Sequence, residues 1–253
     1  MPGNWEYEKI LIGSPIGGMP PFFGWEYAIA GIRFSHPLIP ELNFPFFHTG
    51  QSRAPVDKAR NVIVKQALDG GFTKILWIDT DTKPMAPAFV FQTLYLDMIT
   101  TGASIASGIY WSKKGSVAIW KLKEKGKLPN GEIDYSLEPY DLIKTGHIEM
   151  KDNQPIIKEP LITETQEIVV GGGFMLVDIK VYQDMLKDYL EKDIPWYVYE
   201  TDFAYHQNRL GEDFSFQRKA MKLGHKMVID LRVQAIHEYA VGFDPFGRIV
   251  EVP

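Results

Sequence analysis

The sequence predicts an α/β fold in which a mostly parallel central sheet is flanked by helices. Three observations predict it. Short apolar runs of strand length, "KILIGSP" (9–15), "KILWID" (74–79) and "ASIASGIYW" (103–111), alternate with amphipathic stretches of helical period. The resulting order over the first 111 residues is β-α-β-α-β, which places helices on both faces of parallel strands. Hydrophobic residues make up 45% of the 253, enough for a sizeable core. A chain of this size suits one large domain, or one domain of two intimate halves.

Each element has its own local reason. "KILIGSP" is a buried strand that Ser14-Pro15 should end in a loop. "WEYAIAGIRF" (25–34) has helical character, and "LNFPFFHTG" (42–50) that of a second strand or edge segment. "SRAPVDKARNVIVKQALDGG" (52–71) is the strongest helix: Ser52 caps it, Val56, Ala59, Ile63 and Ala67 form the buried stripe, and Gly70–Gly71 stop it. A strand at 74–79, a helix at 86–102 and a strand at 103–111 follow. Residues 112–167 are polar, Lys-rich and turn-rich, a run of surface hairpins with "LPNGEI" as a turn. Strand and helix resume at 167–190, a helix covers 212–226, and "MVIDLRVQAIH" (227–237) is the final strand.

Charge and composition remove several classes of function. A net charge of −5 supplies no basic field for duplex nucleic acid. The absence of cysteine excludes disulfides and thiolate metal sites. The acidic start "MPGNWEYEKI" is unlike a signal peptide, and no apolar stretch reaches the ~18–20 residues of a membrane span. The expectation is a cytoplasmic protein without an integral membrane segment.

Chemistry is concentrated where the apolar run "ILWIDTDTKP" stops at Asp79, Thr80 and Asp81. In open α/β sheets ligands bind at the C-terminal ends of strands. Two acids spaced by two turn the same way from an extended chain, and two hard oxygen donors beside a diphosphate suit Mg²⁺ or Mn²⁺. A strand-end turn with solvated acids is the structural alternative. Arg53, Asp57 and Arg60 form one helical stripe, readable as a local ion-pair ladder. "VVGGGFMLV" sets three glycines against an apolar strand, as a bend or a close approach of backbone. In "GEDFSF", Glu212 and Asp213 open a helix, where the macrodipole alone favours acids. The lysines at 113, 114, 121, 123, 125 and 127 form either a solvated hairpin or a face for an anionic acceptor or lipid surface.

Taken together, "SRAPVDKARNVIVKQAL", "KILWIDTDTKP", "VVGGGFMLVDIKVYQDM" and "GEDFSFQRKAMKLGHKMVIDLRVQAIHEY" resemble the nucleotide-sugar-dependent glycosyltransferases of the GT-A fold, in particular short family-2-like members from phage, archaea and bacteria. The resemblance spans most of the chain except 112–167. It implies a single GT-A-like domain (1–253), with a nucleotide-binding half to residue 111 and an acceptor-side half from 112 that carries the variable hairpin segment 112–167. It implies metal-dependent, inverting transfer of a sugar from a UDP- or GDP-sugar to a hydroxyl of a glycan, protein or lipid-linked acceptor.

The same resemblance assigns residues. Asp79 and Asp81 would hold Mn²⁺ or Mg²⁺ on the donor diphosphate, with Asp81 the more direct ligand, Thr80 between them, and His237 in "AIHEY" completing the coordination. For His237 the other reading is a hydrogen-bonded strand-end histidine; His36, His48, His147, His206 and His225 lack such a place. Asp213 would be the general base and Glu212 would hold an acceptor hydroxyl. Ser14 and Pro15 would begin the base-binding loop, Arg60 would lie near nucleobase or phosphate, and Gly172 and Gly173 would lie beside donor sugar and acceptor. "SPIGGMPPFFGW" is richer in Pro and Gly than the family's first loop.

Two rival readings differ in class. A phosphatase like the haloacid dehalogenases would use Asp79 as nucleophile and Asp81 as acid/base. That family needs an acidic pair ending a later apolar strand, whereas the acids of "GED" open a helix. A non-catalytic nucleotide- or sugar-binding protein would draw on the 13% aromatic residues, which are usually core.

Overall fold

The computed structural model describes residues 8–16, 46–52, 55–110, 117–127, 133–163, 167–188, 195–202, 207–237, 241–243 and 249–251. The first half contains β1 (Ile10–Ile16), β2 (Phe46–Ser52), α1 (Val56–Asp69), β3 (Lys74–Ile78), β4 (Thr82–Pro84), α2 (Pro87–Thr101) and β5 (Ile105–Tyr110). Short strands follow: β6 (Ile119–Lys127), β7 (Ile133–Pro139), β8 (Ile148–Lys151), β9 (Gln154–Ile157) and β10 (Leu161–Ile162). The remainder is β11 (Ile168–Val170), β12 (Phe174–Asp178), α3 (Ile179–Asp188), β13 (Glu200–Asp202), β14 (Gln207–Leu210), α4 (Glu212–Lys222), β15 (Met227–His237), β16 (Val241–Phe243) and β17 (Ile249–Glu251). The helix expected at 25–34 lies outside the described residues, as does all but the last residue of the turn "LPNGEI", between β6 and its partner β7.

The fold is mixed α/β. Its main sheet runs β10-β15-β5-β12-β3-β1-β2, with β4 paired to β15. β1 pairs parallel with β2 and β3, and β5 pairs parallel with β15. β12 lies antiparallel between β3 and β5, and β4 and β10 are antiparallel to β15. The expected mostly parallel sheet is therefore a mixed one. Apolar periodicity marks β12 as a strand but carries no information about its direction, which the incoming chain from the β11 side decides.

Two apolar layers sandwich the sheet. Ile63, Val64 and Ala67 of α1 pack with Trp77, Tyr182 and Phe216 on one face, and Val90, Phe91, Leu94 and Met98 of α2 pack with Ile12 and Leu76 on the other. Fully burying a large apolar side chain stabilises by ~1.5–3 kcal/mol, so each helix is fixed by its stripe. Gly13 allows α1 to sit close: a Cβ there would lie 2.9 Å from Ile63 and 3.0 Å from the Trp77 ring.

Several boundaries differ from the sequence expectation. Ser52 is the last residue of β2, and the N-cap position of α1 is taken by Pro55, directly before Val56. Val56 is half-buried, and Arg60 takes a place in the buried stripe. Ser14 and Pro15 do not open a loop; they continue β1 opposite Gly50 and Gln51. On the other side the pairing with β3 stops at Gly13–Trp77, so beyond that point β1 is an edge and tolerates a proline that cannot donate. β15 is not the final strand, since β16 and β17 pair after it.

Candidate functional site

The site is built where β3 ends. Asp79 donates its N–H to the Gly173 carbonyl at 2.9 Å, and Thr82 N–H donates to the Asp79 carbonyl at 2.9 Å. Asp79-Thr80-Asp81-Thr82 is therefore a tight turn rather than an extended segment, and the two carboxylates are not set in parallel by strand geometry. Thr82 then starts β4, where it stands opposite His237 in the ladder with β15. That register brings the end of β15 beside Asp81; the side chain of His237 lies outside the described residues.

Arg60 is the centre of the cluster. Its side chain is only 2% exposed, and Nη2 donates to Asp79 Oδ1 and Oδ2 at 2.8 and 3.1 Å. Its Nε faces Glu212 Oε1 at 3.4 Å, while the guanidinium lies 5.0 Å from the Trp77 ring and 5.5 Å from that of Tyr197. Burial opposes the charge, but Asp79, then Glu212, outweigh it and hold the pKa above its ordinary value. Arg60 thus pairs with Asp79 and Glu212, not with Asp57 as a surface ladder would require. Among the described residues Nη1 has no hydrogen-bond partner.

The aromatic floor beneath Arg60 is itself cross-bonded. Trp77 Nε1 donates to the Tyr182 hydroxyl at 2.9 Å, and the Tyr182 and Tyr197 hydroxyls lie 3.0 Å apart. Asn61 locks Tyr197 from the helix: its Nδ2 donates to the Tyr197 carbonyl at 2.8 Å and its Oδ1 accepts the Tyr197 N–H at 3.0 Å.

α4 delivers the second pair of acids. Asp213 Oδ2 accepts the Gly172 N–H at 2.9 Å and Oδ1 accepts the Phe214 N–H at 2.8 Å. Burial, then the neighbouring Glu212 charge, push Asp213 up to about 7 against the two N–H donors and Arg60. Tyr199 faces Glu212, and burial followed by that charge raises its phenol well above the ordinary range. Gly172 has no positive φ; it is required by proximity, since a Cβ there would lie 2.8 Å from Asp213 Cβ.

Of the residues singled out in the sequence, the structure gathers Asp79, Arg60, Gly172, Gly173, Glu212 and Asp213 in one place, with Thr80 and Asp81 in the adjoining turn. Ser14 is fully buried within β1, and Pro15 is paired beside it. Arg60 points inward to carboxylates rather than outward. Tyr197, Tyr199 and Asn61 were not anticipated. The one signal for the two tyrosines is the aromatic run "PWYVYE" (195–200), upstream of the helix of "GED".

With this geometry in place, comparison with known proteins concerns fold. The chain superimposes on A197 from STIV, a viral protein, with a TM-score of 0.51 at 11% identity, over 97% of this chain and 94% of that one. It shares its fold. GalNAc-T7, solved with UDP, GalNAc and Mn²⁺, superimposes at a TM-score of 0.46 and 10% identity, over 92% of this chain and 44% of that one. No protein-family model and no curated protein sequence matches the chain.

The residues present fit a divalent cation of the kind that needs few protein ligands. Among the described residues no three His, Asp or Glu side chains form a ready-made metal cage. Mg²⁺ and Mn²⁺ sites on nucleotides commonly use one or two carboxylates, with phosphate and water supplying the rest. The Asp79–Asp81 turn offers that donor chemistry, with Asp79 anchored by Arg60. Among the described residues no helix is long and apolar enough to cross a membrane.

Proposed function

We propose that the chain is a metal-dependent glycosyltransferase of the GT-A type, moving a sugar from a nucleoside-diphosphate sugar to an acceptor hydroxyl with inversion. The observation that carries the reading is the convergence of Asp79 with Glu212 and Asp213 around buried Arg60 at the carboxyl end of β3. The sequence resemblance supplies the reaction class. A donor-side half (1–111) and an acceptor-side half (112–253) meet at this cluster.

Asp81, with Asp79 and His237, would hold Mn²⁺ or Mg²⁺, which neutralises charge on a departing diphosphate when bound. Thr80 and Gly173 would line the donor side, with Ser14 and Pro15 buried in β1 behind them. On the acceptor side, Asp213 takes the hydroxyl proton as the acceptor oxygen bonds to the anomeric carbon and the bond from that carbon to the diphosphate oxygen breaks. A carboxyl raised to about 7 is suited to this task, because about half of it is ionised at neutral pH and its carboxylate is basic enough to accept a proton. Its two backbone donors fix its direction and leave lone pairs for the acceptor. Glu212, held by Arg60 and Tyr199, would orient an acceptor hydroxyl. A carboxylate gripped at both oxygens by a buried arginine is a poor nucleophile, which argues against the phosphatase alternative for Asp79.

The test is a thermal-shift titration with UDP and GDP, with and without Mn²⁺, on wild type and Asp81→Ala. A ligand that binds only the native state raises the melting temperature. Wild type should show a shift for one nucleotide that requires Mn²⁺, and Asp81→Ala should lose it with its unliganded melting temperature unchanged. Equal nucleotide and metal stabilisation in the variant would sink the clamp.

A further inference from the structure

Three consecutive residues of the segment 195–199 are each fixed by a different helix. The buried Lys219 of α4 donates to the Pro195 carbonyl, and Trp196 Nε1 donates to the Tyr182 carbonyl of α3 at 3.0 Å. Asn61 of α1 holds both backbone groups of Tyr197. The Tyr197 ring also stacks on Phe216 of α4, with 4.6 Å between ring centroids. The backbone is therefore tied down as far as Tyr197. Tyr199 stands two residues further on, 37% exposed, so its ring can be altered without opening a core cavity.

Three carboxylates face the Tyr199 phenol: Glu212 and Asp213 from α4, and Asp57 from α1. A phenol has one O–H to give, and here it is given to Glu212. Burial, then the Glu212 charge and the hydrogen bond to it, raise the phenol well above its ordinary range. Tyr199 thus stays protonated wherever Asp213 titrates, and it is a fixed donor rather than a base. Glu212 is also met by Arg60 Nε at 3.4 Å. Asp213 in turn faces Glu212 on its own helix, Arg60 from α1 and Tyr199 from the 195–199 segment, and accepts the N–H groups of Gly172 and Phe214.

We infer that Tyr199 is a positioning residue for the acid pair: the clamped segment sets its hydroxyl on Glu212, and through Glu212 it governs the charge that the base meets. Its purpose as such rests on the glycosyltransferase reading. A donated hydrogen bond offsets part of the Glu212 charge. Without it the doubly ionised pair is less favourable, so Asp213 keeps its proton to higher pH. Removing the Glu212 charge altogether acts the other way and frees Asp213 at lower pH. The two changes move one titration in opposite directions, which a tyrosine serving only as packing would not do.

The experiment is carboxyl ¹³C NMR on the full chain labelled at aspartate, which needs neither donor nor acceptor. The Asp213 signal, identified by its loss in Asp213→Asn, should titrate in wild type with a midpoint of about 7. Tyr199→Phe keeps the ring and loses the hydroxyl, so it should raise that midpoint by ~0.5–1 pH unit at an unchanged melting temperature. Asn61→Ala frees the Tyr197 backbone and should raise the midpoint as well. Glu212→Gln should lower it. An unchanged midpoint in Tyr199→Phe, or a shift in the same direction as that of Glu212→Gln, overturns the assignment. The Mn²⁺-dependent nucleotide shift, measured in parallel, reports on the other reading. If that shift is present and the midpoints stay fixed, the role of Tyr199 falls alone; if it is absent and the midpoints move as stated, the transferase reading falls and the coupling of Tyr199 to Asp213 stands.

Discussion

Arg60 Nη2 donates to both carboxylate oxygens of Asp79, 2.8 and 3.1 Å away, from a side chain almost wholly removed from solvent. The same guanidinium faces Glu212, so one cation ties the turn after β3 to the first turn of α4. The two halves of the proposed site are thus held by a single buried group. Its energetic role follows from that position: an ion pair of this kind contributes little relative to apolar packing, but breaking it strands charge.

Replacing Arg60 should therefore be costly. Arg60→Met removes the cation while retaining much of the stem, leaving Asp79 and Glu212 facing one another without it. Their side chains are 26% and 10% exposed, so Glu212 bears most of the desolvation. Losing one partner of a buried pair typically costs ~3–5 kcal/mol. Urea unfolding of Arg60→Met should show that loss; a change within ~0.5 kcal/mol would mean that the pair does not hold the two segments together.

Gly172 should be intolerant of a methyl group for a local reason. A Cβ there would sit 2.8 Å from Asp213 Cβ, closer than packed carbon atoms come, so Asp213 or the glycine turn must move. Misplacing a catalytic group by ~1 Å can lower rate by ~10²-fold. Gly172→Ala should keep nucleotide binding and lose transfer by about that factor, as read from kcat with the donor saturating. A wild-type rate would show that the turn shifts without disturbing the carboxylate.

How far these relations were legible follows from the type of signal each one left. Acids at the end of an apolar strand, acids opening a helix and a glycine run are local patterns, and each marks a position that the fold places at the site. The partner of Arg60 was not legible, because a helical stripe shows which residues share a face but not what lies opposite. Arg60 shares the buried side of α1 with Ala59 and Ile63, where a charge is expected only if tertiary structure supplies carboxylates. Ser14-Pro15 misled for a related reason: proline argues against a central strand, but β3 ends before it and leaves an edge. The direction of β12 and the roles of Tyr197 and Tyr199 depend on chain path alone. Their stretch, 195–202, has neither helical nor strand period to announce it.

The pH dependence of transfer should carry the signature of Asp213. Burial and Glu212 push this carboxyl up to about 7, and the base must be ionised to act. The rate should therefore rise with pH through about 7 and then level off. Asp213→Asn cannot accept the proton, so kcat should fall by ~10²–10⁴ while nucleotide-sugar affinity barely changes. The residual rate should lose the ionisation near 7. Inverted product formed by Asp213→Asn at close to the wild-type rate would remove Asp213 from the role.

A second raised carboxyl lies away from the site and makes a prediction about stability alone. Asp97 of α2 meets Asp230 of β15, which is fully buried and gripped by Arg232 at 2.6 Å through Nη2 and 3.0 Å through Nε. Burial, then the hydrogen bond to Asp230 and its charge, push Asp97 up to about 7, against a smaller opposing pull from Arg232. The folded chain therefore holds a proton on Asp97 at pH values where the unfolded chain has lost it. The associated stability is fully present below the ordinary carboxylate range and is lost as pH rises through about 7. Asp97→Asn preserves a neutral, hydrogen-bonding side chain at every pH. Because Asp213 has a shift of the same sign, the comparison belongs in an Asp213→Asn background. There the melting temperature should fall between pH 5 and 8 with Asp97 present, and fall less once Asp97→Asn is added. Parallel curves would show that Asp97 is ionised in the folded protein, and that Arg232 neutralises both acids.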